Sequence, residues 1–240
     1  MPLRVARAVR CPRSTALTLC LITDRRRLAR ALHLPVVAVR PALVDQVRGA
    51  IRGGVDVVQI READLDARDY RSLVDEIVVA RSGTAVRVFV NDRLDVALAA
   101  GADGVHLRES SVAVSAARKL TGSRLWLGRS VHRSTRKDAW AGADYLIAGS
   151  VFQTQSKPGA PASLELAGLR DLVTAAGTCP VWAVGGVTPE RVREVVGAGA
   201  RGVAAIGGFI PLEPTVDVAQ SVEILAKKWR FSFDSAVELF

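Results

Sequence analysis

Aromatic residues make up only 5% of the chain, so a core must draw on the Val, Leu, Ala and Ile that dominate its 49% apolar content. That bias suits a parallel sheet buried on both faces, whose strands read as aliphatic runs. Cysteine is also scarce. Cys11, Cys20 and Cys179 are scattered without metal-like spacing, and an odd count with no disulfide framework fits a reducing, cytoplasmic setting. Cys20 and Cys179 sit beside strand-like runs and read as small core residues. No apolar stretch approaches the ~18 residues of a membrane span. The N-terminus lacks the continuous apolar segment of a secretory signal. Acidic residues are nearly missing from one end. Residues 1–40 carry nine arginines against Asp24, a local +8 out of the total +9, which leaves +1 for residues 41–240. A near-neutral body lacks the basic face of a nucleic-acid binder. Residues 1–16 read as a basic, solvated extension. Attraction of phosphate by the Arg25–Arg27 run is the lesser reading of the arginine-rich first 40 residues.

What the chain does have is an alternating rhythm. Strand-like runs fall at Leu19–Thr23, Val55–Arg61, Val86–Val90, Gly104–Leu107, Leu125–Gly128, Tyr145–Ala148, Val181–Val184 and Gly202–Ile206. Helical segments are predicted between and after them, near 42–52, 66–81, 93–100, 112–120, 134–141, 164–175, 189–198 and 215–228. Thr188-Pro189 and Asn91-Asp92 look like helix starts. Gly54-Val55-Asp56, Gly101-Ala102-Asp103, Gly142-Ala143-Asp144 and Gly199-Ala200-Arg201 recur at spacings of 47, 41 and 57 residues. Each glycine ends a helix and launches an even-numbered strand. Eight such units predict a single (β/α)8 TIM barrel of the α/β class over residues 17–228, followed by a tail at 229–240. A doubly wound open sheet would need a Gly-rich dinucleotide turn after the first strand, and Leu21-Ile22-Thr23-Asp24-Arg25 has none. Residues 24–40 and 149–163 read as long loops.

A barrel gathers its chemistry at the C-terminal ends of its strands. There the sequence places Gln59, Arg61 and Glu62, then Asn91 and Asp92, then His106, Arg108 and Glu109. Ser130 and His132 follow the fifth strand, and Thr154, Ser156 and Lys157 the sixth. Gly185, Gly186, Gly207 and Gly208 follow the last two strands, where backbone N–H groups can approach a phosphate. His132 is the candidate proton-transfer group. His106 reads equally as a buried structural histidine, and His33 carries no assigned role. Gln59 and Asn91 can bond a heterocycle edge. Arg61 binds phosphate or pairs with Glu62 or Asp92, and Lys157 suits an anion clamp.

At these residues the chain resembles the thiamine phosphate synthase/TenI family. The matching motifs are Leu21-Ile22-Thr23-Asp24, Val58–Glu62, Val90–Arg93, Gly101–Leu107, Gly128–His132, Phe152–Lys157 and Gly185–Pro189, in order from about residue 19 to 210. The resemblance implies a barrel that handles thiazole phosphates in thiamine biosynthesis. The synthase branch joins a pyrimidine pyrophosphate to thiazole phosphate and releases pyrophosphate with Mg²⁺, for which Asp92 is the remaining metal ligand. Its usual lysine is Ala63 here, its second metal-binding acid is Ser111, and Gly207 replaces a phosphate-holding serine. Whether Glu109 supplies the missing carboxylate is open. The TenI branch aromatises a thiazole carboxylate phosphate without a cofactor. Its Gly-Arg-Ser-Val-His matches residues 128–132, with His132 as the proton shuttle. Because two charged synthase groups are missing, the sequence leans to the tautomerase, with the synthase as the alternative. A non-catalytic, phosphate-ligand-binding regulatory barrel is the second alternative. The expected partner is a small thiazole phosphate rather than nucleic acid or membrane, and a homo-oligomer is compatible.

Overall fold

The computed structural model describes residues 17–154 and 163–237. The basic extension at 1–16 lies outside the described residues, as do Ser156 and Lys157. Among the described residues, eight strands form one closed parallel barrel in chain order. They are β1 (Thr18–Ile22), β2 (Val57–Ile60), β3 (Arg87–Asn91), β4 (Gly104–Leu107), β5 (Trp126–Val131), β6 (Tyr145–Gly149), β7 (Val181–Val184) and β8 (Gly202–Ala205). β1 closes the ring against β8, with Thr18 opposite Gly202 and Leu21 opposite Ala205. All eight predicted strands are present. β5 runs three residues beyond its predicted end, so Arg129, Ser130 and Val131 are strand rather than loop.

The helices depart from expectation in several places. The supposed first loop contains α1 (Arg25–Ala31), started by Asp24, whose side chain accepts from the Arg27 N–H at 3.0 Å. An aspartate N-cap satisfies a donor that the helix itself leaves unpaired. α2 (Arg40–Arg52), α3 (Ala67–Ala80), α4 (Leu94–Ala100) and α5 (Val114–Thr121) follow. The helix predicted at 134–141 is only a 3-10 turn, Lys137–Trp140. α6 (Glu165–Ala176) and α7 (Val192–Gly197) come next. Pro189–Arg191 forms a 3-10 turn ahead of α7, and the Thr188 side chain makes no capping bond. Asn91-Asp92 does not cap α4 either. The last helix, α8 (Val218–Val237), runs straight through the predicted tail boundary. Trp229 and Phe233 are buried, so residues from 229 to 237 complete the helical layer.

The core has two compartments. Aliphatic side chains fill the layer between strands and helices, as composition requires. The barrel interior contradicts the aliphatic expectation, because Phe89, Trp126, Tyr145 and Trp182 pack inside it with Cys20, Ile22, Val57, Ile147 and Ala204. Tyr145 stacks on Trp182 at 4.1 Å between centroids and on Phe89 at 5.3 Å. Facing glycines make room for these rings. A Cβ on Gly128 would stand 2.0 Å from the Tyr145 ring, and one on Gly104 2.8 Å from Phe89. The aromatic plug closes the barrel beneath its C-terminal mouth.

The Gly-x-Asp repeat acts at the opposite, N-terminal face. Its glycines all have positive φ, from +65° to +96°. The following carboxylates of Asp56, Asp103 and Asp144 accept from the N–H groups of Leu19, Val88 and Leu127 at 2.7, 2.8 and 2.7 Å. Each acceptor strand thereby pins its predecessor at the same register. Arg230, Arg81 and Arg118 pair with the three aspartates. This is a device for stability rather than chemistry.

Candidate active site

A cavity of about 490 Å³ opens at the C-terminal mouth. Its apolar floor is Ile22, Ile147, Val184 and Ile206, and its polar wall includes Gln59, Arg61, Asn91, His106, Ser130 and His132. Most of the sequence-predicted side chains of β2 through β5 therefore converge on one space, although Glu62 and Asp92 are not among its lining residues. A second hollow, lined by Thr154, Gly185, Gly186, Gly207, Gly208 and Arg27, shares Thr154, Val184, Gly185 and Ile206 with the first. The two form one continuous site.

Gln59 and Asn91 are held by each other and by α3. Gln59 Nε2 donates to Asn91 Oδ1 at 3.1 Å. The Tyr70 hydroxyl donates to the Ile60 carbonyl at 2.6 Å and accepts from the Asn91 N–H at 3.2 Å. Burial raises the Tyr70 pKa, which keeps this O–H a donor. Gln59 Oε1 is buried and has no partner among the described residues. An orphaned acceptor at a cavity wall costs stability unless a ligand donor meets it.

His106 is buried at the cavity wall. Its Nε2 lies 2.8 Å from Ser130 Oγ and its Nδ1 3.3 Å from the Tyr145 hydroxyl. Burial lowers its pKa to about 3, so the ring is neutral and orients Ser130. His132 is half-exposed and differently placed. Its Nδ1 contacts the Gly149 carbonyl, which only accepts, so the proton sits on Nδ1. Its Nε2 faces Glu109 Oε2 at 3.7 Å. Glu109 also accepts from Thr135 Oγ1 at 2.7 Å. Glu109 is thus held by Thr135 and stands beside His132. Arg129, from the same motif, donates to the carbonyls of Val112 and Glu109 at 2.7 and 2.8 Å. It braces the loop after β4.

Arg61 pairs with neither Glu62 nor Asp92. Its side chain is exposed at the cavity and has no carboxylate partner among the described residues. Glu62 turns away and accepts from the Arg25 N–H at the start of α1, with 3.1 Å to each oxygen. Burial raises its pKa to about 7. Asp92 has φ of +67°, which an aspartate tolerates better than most side chains. One of its oxygens accepts from Arg108 Nε at 2.7 Å, and the other contacts Ser111 Oγ. Each of its oxygens therefore has a partner. Among the described residues no three His, Cys, Asp or Glu side chains cluster as a metal site. Asp92 is thus held by Arg108 and Ser111 rather than left open to a resident Mg²⁺.

The four glycines separate into two kinds. Gly185 and Gly186 have φ of +90° and +65°, and a Cβ on either would strike Ser150 or Phe152 within 2.7 Å. Gly207 and Gly208 open the 3-10 turn Gly207–Phe209, whose first N–H groups have no partner within the turn. Gly208 packs on Trp229, whereas a Cβ on Gly207 would stand 3.1 Å from Arg27 Nη2. Sequence reasoning gave Arg27 only a minor place. The aspartate cap that opens α1 was the signal, since it starts the helix whose first turn carries Arg27.

The site is that of a barrel enzyme, with Arg27 and the glycine turns at one end of a polar cleft and Arg61 and Arg108 at the other. Residues 19–209 match the family model described as thiamine monophosphate synthase, and the chain belongs to that family of thiamine-biosynthesis enzymes. It is 40% identical over 173 residues to a thiamine-phosphate synthase from Moorella thermoacetica, covering 71% of this chain and 81% of that one. A thiamine-phosphate synthase from Natronomonas pharaonis is 39% identical over 188 residues, covering 75% and 87%. The solved thiamine phosphate pyrophosphorylase from Pyrococcus furiosus superposes with a TM-score of 0.73 at 31% identity, covering 94% of this chain and 98% of that one. Among the described residues, no helix is long and apolar enough to cross a membrane.

Proposed function

We propose that the chain is a thiamine phosphate synthase: it joins a pyrimidine pyrophosphate to a thiazole phosphate and releases pyrophosphate. The observation that carries this reading is the pair of cationic ends on one cleft. Arg27 and the glycine turns form one end, and Arg61 and Arg108 the other. A synthase must hold a monophosphate and a pyrophosphate together, whereas the tautomerase substrate carries one phosphate. The relatives' names favour the same reading, so the alternative replaces the tautomerase lean drawn from the sequence.

In this reaction the pyrimidine carbon exchanges its bond to a pyrophosphate oxygen for a bond to the thiazole ring. Charge accumulates on the departing pyrophosphate, where the Arg61 guanidinium can meet it. Gln59 and Asn91 present amide groups to a heterocycle edge, and the orphaned Gln59 Oε1 accepts from an amine or ring N–H. Ser130, oriented by neutral His106, offers its hydroxyl at the centre of the cleft. The thiazole phosphate rests on Gly185, Gly186, Gly207 and Gly208. Holding both reactants in line supplies much of the rate by proximity. Ser156 and Lys157 remain proposals from sequence for the segment that follows Thr154.

One observation favours the tautomerase as a second reading. His132 is a cavity-wall imidazole backed by a carboxylate, an arrangement suited to moving a proton. A paired turnover assay on purified protein separates the two. One reaction contains pyrimidine pyrophosphate, aromatic thiazole phosphate and Mg²⁺, and the other contains thiazole carboxylate phosphate and EDTA. Thiamine phosphate in the first establishes the synthase. Isomerisation in the second alone, lost by roughly 10²–10⁴ in His132→Ala, establishes the tautomerase. Turnover in neither supports a phosphate-ligand-binding barrel.

A further inference from the structure

We infer that the pyrophosphate end of this cleft uses the Arg108 guanidinium where a divalent metal ion would otherwise sit, and binds pyrophosphate without a resident metal. The inference rests on the synthase reading. Its basis is the environment of Asp92. A metal at this position would need Asp92 oxygens directed at it, but both are engaged, one by Arg108 and the other by Ser111. Ser111 Oγ is itself held by the Arg108 N–H at 2.9 Å, so residues 92, 108 and 111 form one closed cluster. A neutral serine hydroxyl stands where a second carboxylate would be required. The nearest further acid in sequence, Glu109, accepts from Thr135 and lies beside His132. Mg²⁺ demands near-octahedral oxygen ligation and would have to displace Arg108 to gain a single carboxylate.

Arg108 can do the electrostatic work itself. A guanidinium carries five N–H donors in a rigid fork. Asp92 takes donors from Nε and one Nη, and the rest can reach ligand oxygens. The side chain is 55% exposed and lines the cavity, so a ligand can approach it. Arg129 bonds the backbone of Glu109, Ser111 and Val112 and so fixes the loop that presents Arg108. Arg61 supplies a second guanidinium on the same cavity wall. Two forked cations match the adjacent phosphates of a pyrophosphate by charge-assisted hydrogen bonds.

The test is calorimetric titration of the full chain with inorganic pyrophosphate, in EDTA and in excess Mg²⁺. Wild type is expected to bind in EDTA, with affinity within about threefold of that in Mg²⁺. Arg108→Gln is expected to weaken binding in EDTA by roughly tenfold or more, the order of one lost charge-assisted bond. Arg108→Lys should recover only part of it, because an ammonium cannot serve Asp92 and a phosphate with the same fork. The double variant Arg108→Gln/Ser111→Asp places two carboxylates together and should bind pyrophosphate only when Mg²⁺ is present. Binding by wild type that needs Mg²⁺, or Arg108→Gln binding unchanged in EDTA, overturns the inference alone. No pyrophosphate binding in either condition defeats the synthase reading and the inference with it.

Discussion

Removing the guanidinium of Arg27 tests whether the glycine turns after β7 and β8 hold a phosphate. Its Nη2 stands 3.1 Å from where a Gly207 Cβ would be, above the first N–H groups of a 3-10 turn. A phosphate resting on those N–H groups lies within reach of the guanidinium. A hydrogen bond to a charged group contributes about 1.5–3 kcal/mol, or roughly 10- to 150-fold in affinity. Arg27 is partly exposed, and solvent screening moves the expectation toward the lower end, about 10- to 30-fold. The phosphate does not react, so Arg27→Gln should raise KM for thiazole phosphate by that factor and leave kcat nearly unchanged. The decisive control is the same thiazole without its phosphate, for which wild type and variant should perform alike. A KM change below about threefold, or an equal loss with the unphosphorylated thiazole, would refute the assignment of this end of the cleft.

Glu62 should impose a pH signature on stability. Its pKa is raised from an ordinary 4.5 to about 7 by burial, so its contribution is fully present below 4.5 and is lost as pH rises through 7. Urea denaturation should show Glu62→Gln gaining on wild type by about 3 kcal/mol between those limits; a difference flat with pH would place the carboxylate in solvent. Gly128→Ala pushes a methyl into the Tyr145 ring and should cost at least about 1–3 kcal/mol, read as a lower thermal midpoint. Asp144→Ala orphans the Leu127 N–H and should cost about 1–3 kcal/mol while KM stays constant, since this face carries no chemistry. A changed KM would show that the two ends of the barrel communicate.

Much of the fold was legible in the chain. Strand positions follow from aliphatic runs, because every barrel strand is buried on both faces and cannot alternate. The glycine repeat marked the even strands, and the structure supplies its reason: the glycine turns the chain, and before β2, β4 and β6 the aspartate locks the preceding strand. Helix assignments failed where the signal was local and weak. α1 was hidden by three consecutive arginines, although Asp24 is a standard cap. The segment at 134–141 has helical composition but joins neighbouring strands in a single turn.

The sequence by itself determined the barrel, the family and the side chains at the strand ends, because periodicity and motif order are written in one dimension. It did not determine which of those side chains are available to a ligand, because availability depends on partners distant in sequence. His106 and His132 look alike as strand-end histidines, yet one is buried between Tyr145 and Ser130 while the other faces Glu109 at the cavity. Asp92 reads as a metal carboxylate until Arg108 and Ser111, 16 and 19 residues away, are seen to occupy it. Arg27 reads as surface charge until β8 brings Gly207 beneath it. Closing the ring creates these neighbours, and only the tertiary structure decides which charges are spent on one another and which remain for the substrate.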